Sequence, residues 1–497
     1  MNAFDYFFEH TSSLEKNFLS GNEEISFRDL YTSAEDLSLW LRKEIGTGKN
    51  IILLSVNNLF LLKVYLAVLK SENICIPLDP GIETDNFNYI TELTKPDITF
   101  IANDLKRKIP TGDLRCITPD SMPEPVTGID ELKMRMKVGT NRNEKSVSES
   151  CAEIIFTSGS TGKPKGVMIS HKNLVANTSS ILEYLQLTSD DRMLAVLPLY
   201  YCYGLSLVHT HLRIGGSVVF NNSFVFLGTV INNLLKYNCT GFAGVPSHFQ
   251  ILLRMSDTFK KTRFPFLRYV TQAGGKLAPV FIDEFREAFP DVKFFVMYGQ
   301  TEATARLSYL PPELYEKKKG SMGKGIPGVE LKVVDGNGVM VKPGETGEVI
   351  ARGDNIMMGY YSDEESTVKS LRDGWLWTGD LGEVDDEGYI YLTARKNEII
   401  KVRGKRISPK EIEAVILQLQ EVIDCSIEGI EDNIEGEVLK AVIVVRDGME
   451  DRVNPDLLKH HCARHLAPFK IPSVYEFRKN ITISPTGKKI KKPELKQ

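Results

Sequence analysis

The chain has 497 residues, of which 42% are hydrophobic and 25% charged, and carries a formal net charge of −4. That balance is ordinary for a soluble globular protein and gives no reason to expect a nucleic-acid or membrane partner, while the length calls for at least two domains. Seven cysteines, an odd number with no C-x-x-C pair, point to reduced thiols and a cytoplasmic location rather than a disulfide framework.

The N-terminus MNAFDYFFEH has neither a basic nor an apolar leader region, so no signal peptide is expected. FRDLYTSAEDLSLWLRKE (27–44) reads as an amphipathic helix and CIPLDP (75–80) as the end of a strand. The most apolar segment, IILLSVNNLFLLKVYLAVL (51–69), is interrupted by Asn57, Asn58 and Lys63, and reads as a buried strand followed by a helix, not a membrane span. Alternating helix and strand patterns are the signature of a layered α/β sheet. Residues 106–150 are polar and irregular.

The strand Ile154-Ile155-Phe156 feeds TSGSTGKPKG (157–166), which holds three Gly, two Ser, two Thr and two Lys. The common phosphate loop G-x-x-x-x-G-K-[ST] fails here, because Thr157 stands at its first glycine and Pro164 at its final hydroxyl. A donor-rich loop after a strand and a plain solvated turn both fit this composition. In LPLYYCYGLSLVHTH (197–211), His209 and His211 alternate as strand residues do and are expected in the core or a wall. AGVPSHFQILL (243–253), LRYVTQAGG (267–275) and KFFVMYGQTE (293–302) are apolar runs that end in glycine or polar residues, where parallel sheets place their ligands.

After residue 325 hairpins are expected: VELKVVDGNGVMV turns at Asp335-Gly336 and GEVIARG follows. The last hundred residues read as a compact α+β unit: a hairpin (GEVDDEGYIYLTAR), helices in PKEIEAVILQL and DLLKHHCARHL, and strands IDCSIEGI, VLKAVIVVR and SVYEFR. The domain boundary is placed near 396, giving domains 1–396 and 397–497. His461 and His465 share a helical i, i+4 spacing that could suit a metal; no third ligand of matching type is evident, and an ordinary helix is expected.

Five segments, TSGSTGKPKG, YGQTEA (298–303), GWLWTGDLG (374–382), ARKNEIIKVRGKRISPKEIE (394–413) and SPTGKK (484–489), stand in the order and spacing of the adenylate-forming superfamily, and the whole chain resembles it. This superfamily comprises acyl- and aryl-CoA synthetases, adenylation domains of peptide synthetases, and luciferases. The resemblance implies a large N-terminal layered α/β domain with a distorted β-barrel portion, plus a small mobile C-terminal α+β lid. It implies ATP and Mg2+ as cofactors, a carboxylic acid substrate activated as an acyl-adenylate, and transfer to CoA or to the phosphopantetheine of a carrier protein acting in trans.

The resemblance also implies roles for residues. Ser158, Gly159, Ser160, Thr161, Gly162 and Lys165 would grip the leaving pyrophosphate, with Thr157 and Glu302 on magnesium. Tyr298, Gly299, Gln300, Thr301, Gly274 and Gly275 would flank the nucleotide, while Asp380 and Arg395 would take the ribose. Lys488 matches the catalytic lysine of the first half-reaction. Asn397 stands at the hinge, where Asp or Lys is usual, and Lys401 and Gly404 would face the site in the second half-reaction. Tyr201, Cys202, Gly204 and Pro246 would line the acid pocket. Tyr201 stands where many acyl-CoA synthetases have His, and Cys202 near the Asp that pairs a substrate ammonium in amino-acid-activating domains. A buried ammonium without a carboxylate is costly, so an acyl or aryl acid is favoured over the alternative of an amino acid. A non-catalytic nucleotide-binding protein is opposed by the presence of Thr157, Glu302, Asp380, Arg395 and Lys488 together.

Overall fold

The computed structural model describes residues 1–124, 144–157, 163–224, 226–402, 405–432 and 436–481. Two sheets with parallel centres make the body. One, of seven strands, runs in the order Gly359–Tyr360, Lys165–Ser170, Cys151–Thr157, Ile74–Leu78, Asn50–Leu54, Ile98–Ile101, Cys116–Ile117. The other, of nine strands, has Lys293–Tyr298, Tyr269–Gln272, Gly241–Gly244 and Arg192–Ala195 as consecutive parallel neighbours. These inner strands are buried along their length, which is why they read as short continuous apolar runs rather than alternating ones. A third, antiparallel sheet contains Val329–Val334, Gly347–Gly353, Trp375–Val384 and Ile390–Arg395. A small α+β unit follows, with Val422–Asp432, Gly436–Val445 and Val474–Arg478 in one sheet and the helices Pro409–Ile416 and Pro455–His465 beside it.

The helices Leu59–Lys70 and Cys202–Ile214 join the two large sheets through a buried polar trio. The Tyr65 hydroxyl donates to Glu153 Oε2 at 2.9 Å and lies 2.7 Å from His209 Nε2, and the His209 ring stacks on Phe7 at 4.5 Å. His209 and His211 are therefore helical, not in a strand as expected. The helix Cys202–Ile214 is buried on nearly every side, so it carries no polar stripe to mark its period.

The expected turn at Asp335-Gly336 is present, with the Val341 N–H donating to the Val333 carbonyl at 3.1 Å and the Asp335 N–H to the Val339 carbonyl at 2.8 Å, and Val329–Val334 pairs on its other side with Gly347–Gly353. Two other expectations are corrected. The hairpin of residues 382–395 belongs to the third sheet, not to the C-terminal unit. Residues 106–150 include a short strand Cys116–Ile117 and a helix Glu144–Glu149. The cysteines are all free, as expected. Among the described residues no helix is long and apolar enough to cross a membrane, and no cluster of three or more His, Cys, Asp or Glu side chains could hold a metal. His461 Nε2 lies 2.9 Å from the Val415 carbonyl, which binds the helix to its neighbour.

The C-terminal unit is fastened to the body by Arg254, the last residue of the helix Pro246–Arg254. Its guanidinium is 3% exposed and donates to the carbonyls of Leu417 and Leu419 at 3.0 Å each and to that of Val422, with Glu284 at 2.7 Å as counter-charge. A fork of donors meeting the open carbonyls after a helix C-terminus is a strong, directional contact.

Burial pushes the Glu153 carboxyl up from an ordinary 4.5 to about 7, the Tyr65 hydrogen bond opposing it. Between those values the folded chain holds a proton that the unfolded chain has released, so stability falls as pH rises through this window, by an upper limit of about 3 kcal/mol. Urea unfolding of Glu153→Gln should show a flatter stability profile between pH 5 and pH 8 than the unsubstituted protein, with the larger gain at pH 8. Parallel profiles would show that Glu153 does not titrate in that range.

Candidate active site

A cleft of about 640 Å³ opens where the ends of the nine-stranded sheet meet the third sheet and the C-terminal unit. At its centre is Asp380, a carboxylate only 5% exposed. It accepts from the Tyr298 hydroxyl at 2.6 Å and from Arg395 Nε at 2.8 Å. Arg395 is placed by cross-strand register, since Asp380 and Arg395 are paired residues of adjacent strands. Tyr298 ends the strand Lys293–Tyr298 of the other sheet, and burial together with the Asp380 charge raises its hydroxyl pKa well above the usual value, so it stays a donor. The preceding turn is fixed too: the Asp380 N–H donates to Thr378 Oγ at 3.1 Å, and the Gly379 N–H to Glu348 at 3.0 Å.

Two glycines shape the wall. A Cβ on Gly299 would sit 1.9 Å from the Ala305 carbonyl oxygen, because the chain folds back through Thr304 (φ +60°) at that point. Gly274, at φ +83°, would place a Cβ 2.9 Å from the Tyr201 hydroxyl. Backbone thus approaches the cleft with no side chain in between. Gln300 lines the same wall, and its buried Nε2 has no partner among the described residues.

Glu302 lies in the turn Thr301–Ala303, and its Oε1 accepts from the Tyr360 hydroxyl at 2.9 Å. Thr157 lines the cleft at the end of its strand, in register with Lys165. Oxygen donors of this kind, one carboxylate and one hydroxyl, fit a magnesium ion that retains most of its water. Lys165 departs from expectation: its amine lies against Ser366, 3.5 Å from Asp363 and over the Tyr360 ring. The structure therefore gives it local acidic and hydroxyl partners rather than a place in the cleft wall.

The structure separates the four residues expected in the acid pocket. Tyr201 and Pro246 line the cleft, and Pro246 packs against Gly275. Cys202 is buried with its sulfur 3.6 Å from the Thr301 hydroxyl. Gly204 lies outside the cleft wall; a Cβ there would meet the Pro198 carbonyl at 2.1 Å, so its glycine is required by packing of the helix on its own entry loop. Asn397 lines the cleft in the turn Lys396–Glu398, whereas Lys401 is exposed on Ile400–Val402 and outside the wall. Residues 158–162, Gly404 and Lys488 lie outside the described residues.

Sequence reasoning missed several members of the site. Lys276 follows Gly274-Gly275 directly and donates to the Leu392 carbonyl at 2.7 Å; partial desolvation at the cleft edge, with Lys410 nearby, lowers its pKa. Lys410, Glu413 and Asp424 line the cleft from the C-terminal unit. Tyr360 could have been suspected only from its place near Lys165, which depends on strand pairing.

Gly299→Ala should cost about 3 kcal/mol, the upper end for overpacking, because backbone and not a flexible side chain occupies the space. Gly379→Ala, at φ +75° but with open space around it, should cost only about 1–2 kcal/mol of backbone strain. Chemical denaturation of the two variants checks the order, and equal costs would contradict the geometry.

The AMP-binding enzyme model matches residues 9–361, and the AMP-binding enzyme C-terminal domain model matches residues 411–488. The oxalate–CoA ligase of Arabidopsis thaliana is 28% identical over 482 residues, covering 95% of this chain and 93% of that protein. The 2-succinylbenzoate–CoA ligase of Bacillus pumilus is 33% identical over 367 residues, 74% of this chain and 71% of that protein. The solved structure of o-succinylbenzoate CoA synthetase from Bacillus subtilis, in complex with its acyl-adenylate intermediate, matches with a TM-score of 0.82 at 25% identity over 98% of this chain and 96% of that one. An anthranilate CoA ligase shares the fold, with a TM-score of 0.87 at 22% identity over 98% of this chain and 95% of that one. On the family matches, which cover the body and the C-terminal unit, the chain belongs to the AMP-binding enzymes, the adenylate-forming superfamily that its five segments resemble.

Proposed function

We propose that this chain is an ATP-dependent, AMP-forming acid–CoA ligase that works in two half-reactions in the cleft between the body and the C-terminal unit. In the first, a carboxylate oxygen of the acid attacks the α-phosphorus of ATP, the bond to the bridging oxygen breaks, and pyrophosphate leaves. In the second, the thiol sulfur of CoA attacks the acyl carbonyl, the carbon–oxygen bond to AMP breaks, and the thiol proton passes to water. The observation that carries this reading is the conjunction of Asp380, buried between Tyr298 and Arg395, with a wall opened by Gly274 and Gly299.

An ionised carboxylate has about four acceptor sites, and Tyr298 and Arg395 use two. The remaining two suit the pair of ribose hydroxyls, with the carboxylate already aimed. Gly274, Gly275, Gly299 and Thr301 would let the adenine and α-phosphate lie against backbone, and the unpartnered Gln300 amide would find an acceptor on the nucleotide. Glu302 and Thr157 would hold magnesium, which supplies positive charge to the phosphates; the Tyr360 bond fixes one Glu302 oxygen, and no described residue bonds the other. The loop Ser158–Gly162 would take the leaving pyrophosphate. Lys165 is paired with Asp363 and Ser366 and would have to exchange these partners to reach a phosphate.

The division at 396/397 belongs to the same reading. Arg395 ends the last strand of the third sheet, and the turn Lys396–Glu398 follows with Asn397 as the hinge. Arg478, Asn480 and Ile481 line the cleft, and the first half-reaction is assigned to Lys488 on its match to the family motif alone. Lys401 and Gly404 would serve the second, after a rotation that must release the Arg254 clamp. A phosphopantetheine on a carrier protein presents the same thiol; CoA is preferred here because the relatives are CoA ligases. An amino acid as substrate is disfavoured, since Cys202 faces Thr301 and offers no carboxylate to an ammonium.

Lys488→Ala should lower acid-dependent ATP–pyrophosphate exchange by about a hundredfold to a thousandfold, the usual loss of one electrostatic group aimed at a transition state. Thioester formation from a supplied acyl-adenylate should be nearly unchanged. Equal loss in both half-reactions would contradict the role.

A further inference from the structure

The ladder between Gly347–Gly353 and Trp375–Val384 is interrupted at the residues that carry Asp380. Between the register pairs Glu348–Leu381 and Ile350–Trp377 one residue, Val349, faces three, Thr378, Gly379 and Asp380. A bulge of this kind lifts residues out of the ladder and leaves their backbone groups to find other partners. Two side chains supply them. Thr378 Oγ, anchored to the Val349 carbonyl at 2.7 Å, accepts from the Asp380 N–H at 3.1 Å, and Glu348 Oε1 accepts from the Gly379 N–H at 3.0 Å.

Glu348 Oε2 makes a second contact, an ion pair with the Lys396 amine. Glu348 is only 6% exposed and lies outside the cleft wall, and among the described residues Lys396 is its counter-charge. A buried carboxylate that lost this partner would be costly. Lys396 opens the turn Lys396–Glu398, directly after Arg395 and directly before Asn397. Arg395 is bound to Asp380 and Lys396 to Glu348, so two successive residues at the end of the third sheet are each held by a carboxylate of the body.

We infer that Glu348 is a positioning residue with two separable tasks: one oxygen holds the turn that aims Asp380, and the other fixes Lys396 as the last stationary residue before the hinge. This rests on the two-half-reaction reading above and adds to it the side chain that joins the nucleotide site to the pivot. A pivot gives a defined end point only when the change in backbone angles is confined to a few residues. With Lys396 released, that change would spread back toward Arg395, and thiol and acyl carbon would meet in poorer alignment.

Three variants separate the tasks, assayed with an acid found by exchange on a panel of acyl and aryl acids. Glu348→Gln keeps an acceptor for the Gly379 N–H but loses the charge, Lys396→Met loses the other half of the pair, and Glu348→Ala loses both contacts. The Gln and Met variants should keep the KM for ATP within about threefold and ATP–pyrophosphate exchange near that of the unsubstituted enzyme, because exchange runs in one arrangement. Their thioester turnover, which needs the rotation in every cycle, should fall about tenfold. Glu348→Ala should in addition raise the KM for ATP about tenfold. The double variant Glu348→Gln with Lys396→Met should lose no more turnover than the worse single variant, since both remove the same pair. Lys396 is half exposed, so its Met variant tests the pair even where a Glu348 variant does not fold. Unchanged turnover in the Met variant, an equal fall in exchange and turnover, losses that add in the double variant, or a KM for ATP no higher in the Ala than in the Gln variant would overturn the inference and leave the ligase reading standing. Exchange with no acid of the panel, by an unsubstituted protein that binds ATP, would overturn the ligase reading and this inference with it.

Discussion

A carboxylate at 5% exposure cannot stand alone, and the pairing of Asp380 with Tyr298 and Arg395 is what the rest of the site depends on. Tyr298 comes from the nine-stranded sheet, whereas Asp380 and Arg395 come from adjacent strands of the third sheet. The contact therefore closes two layers on each other and positions a charged acceptor at their seam. The strand that ends at Arg395 runs directly into the turn Lys396–Glu398, the proposed boundary of the C-terminal unit.

The opposite side of the cleft is organised by one helix. Pro246 and Gln250 line the cleft near the start of Pro246–Arg254, and Arg254 at its end holds the C-terminal unit by three carbonyls. A mixed anhydride must be kept from water while it forms, and in the proposed reaction directional hydrogen bonds would help hold the C-terminal unit over the cleft. Such a clamp can exchange its hydrogen bonds for water, as the proposed second half-reaction would require.

Much of the site is legible in the sequence because its determinants are local. Glycines at 274 and 299 mark strand ends where backbone nears a ligand, and Asp380 follows a turn of two small residues in an otherwise apolar strand. What the sequence hides is what long-range packing creates. The trio of Tyr65, Glu153 and His209 links positions 88 and 144 residues apart, and no spacing rule finds it. Arg306 reads as an ordinary arginine after a turn until it is seen 2% exposed on the face of Tyr203, with no carboxylate partner among the described residues. Gly204 resembles a pocket residue by its neighbours, but its requirement is contact with the Pro198 carbonyl. The helix Cys202–Ile214 was open to a strand reading because burial on nearly every side erases the 3.6-residue pattern. The partners of Lys165 are hidden for a related reason: Asp363 and Ser366 are brought to it only by the pairing of Gly359–Tyr360 with Lys165–Ser170.

The central claim is that the acid's own oxygen attacks the α-phosphorus of ATP. Turnover of a carboxylate labelled with 18O at both oxygens tests it most directly, with the released AMP and pyrophosphate analysed by mass spectrometry. Attack at the α-phosphorus requires one labelled oxygen in each AMP and none in pyrophosphate, since the carbon–oxygen bond to AMP is the one broken in thioester formation. Unlabelled AMP, or label recovered in pyrophosphate or inorganic phosphate, would contradict the account.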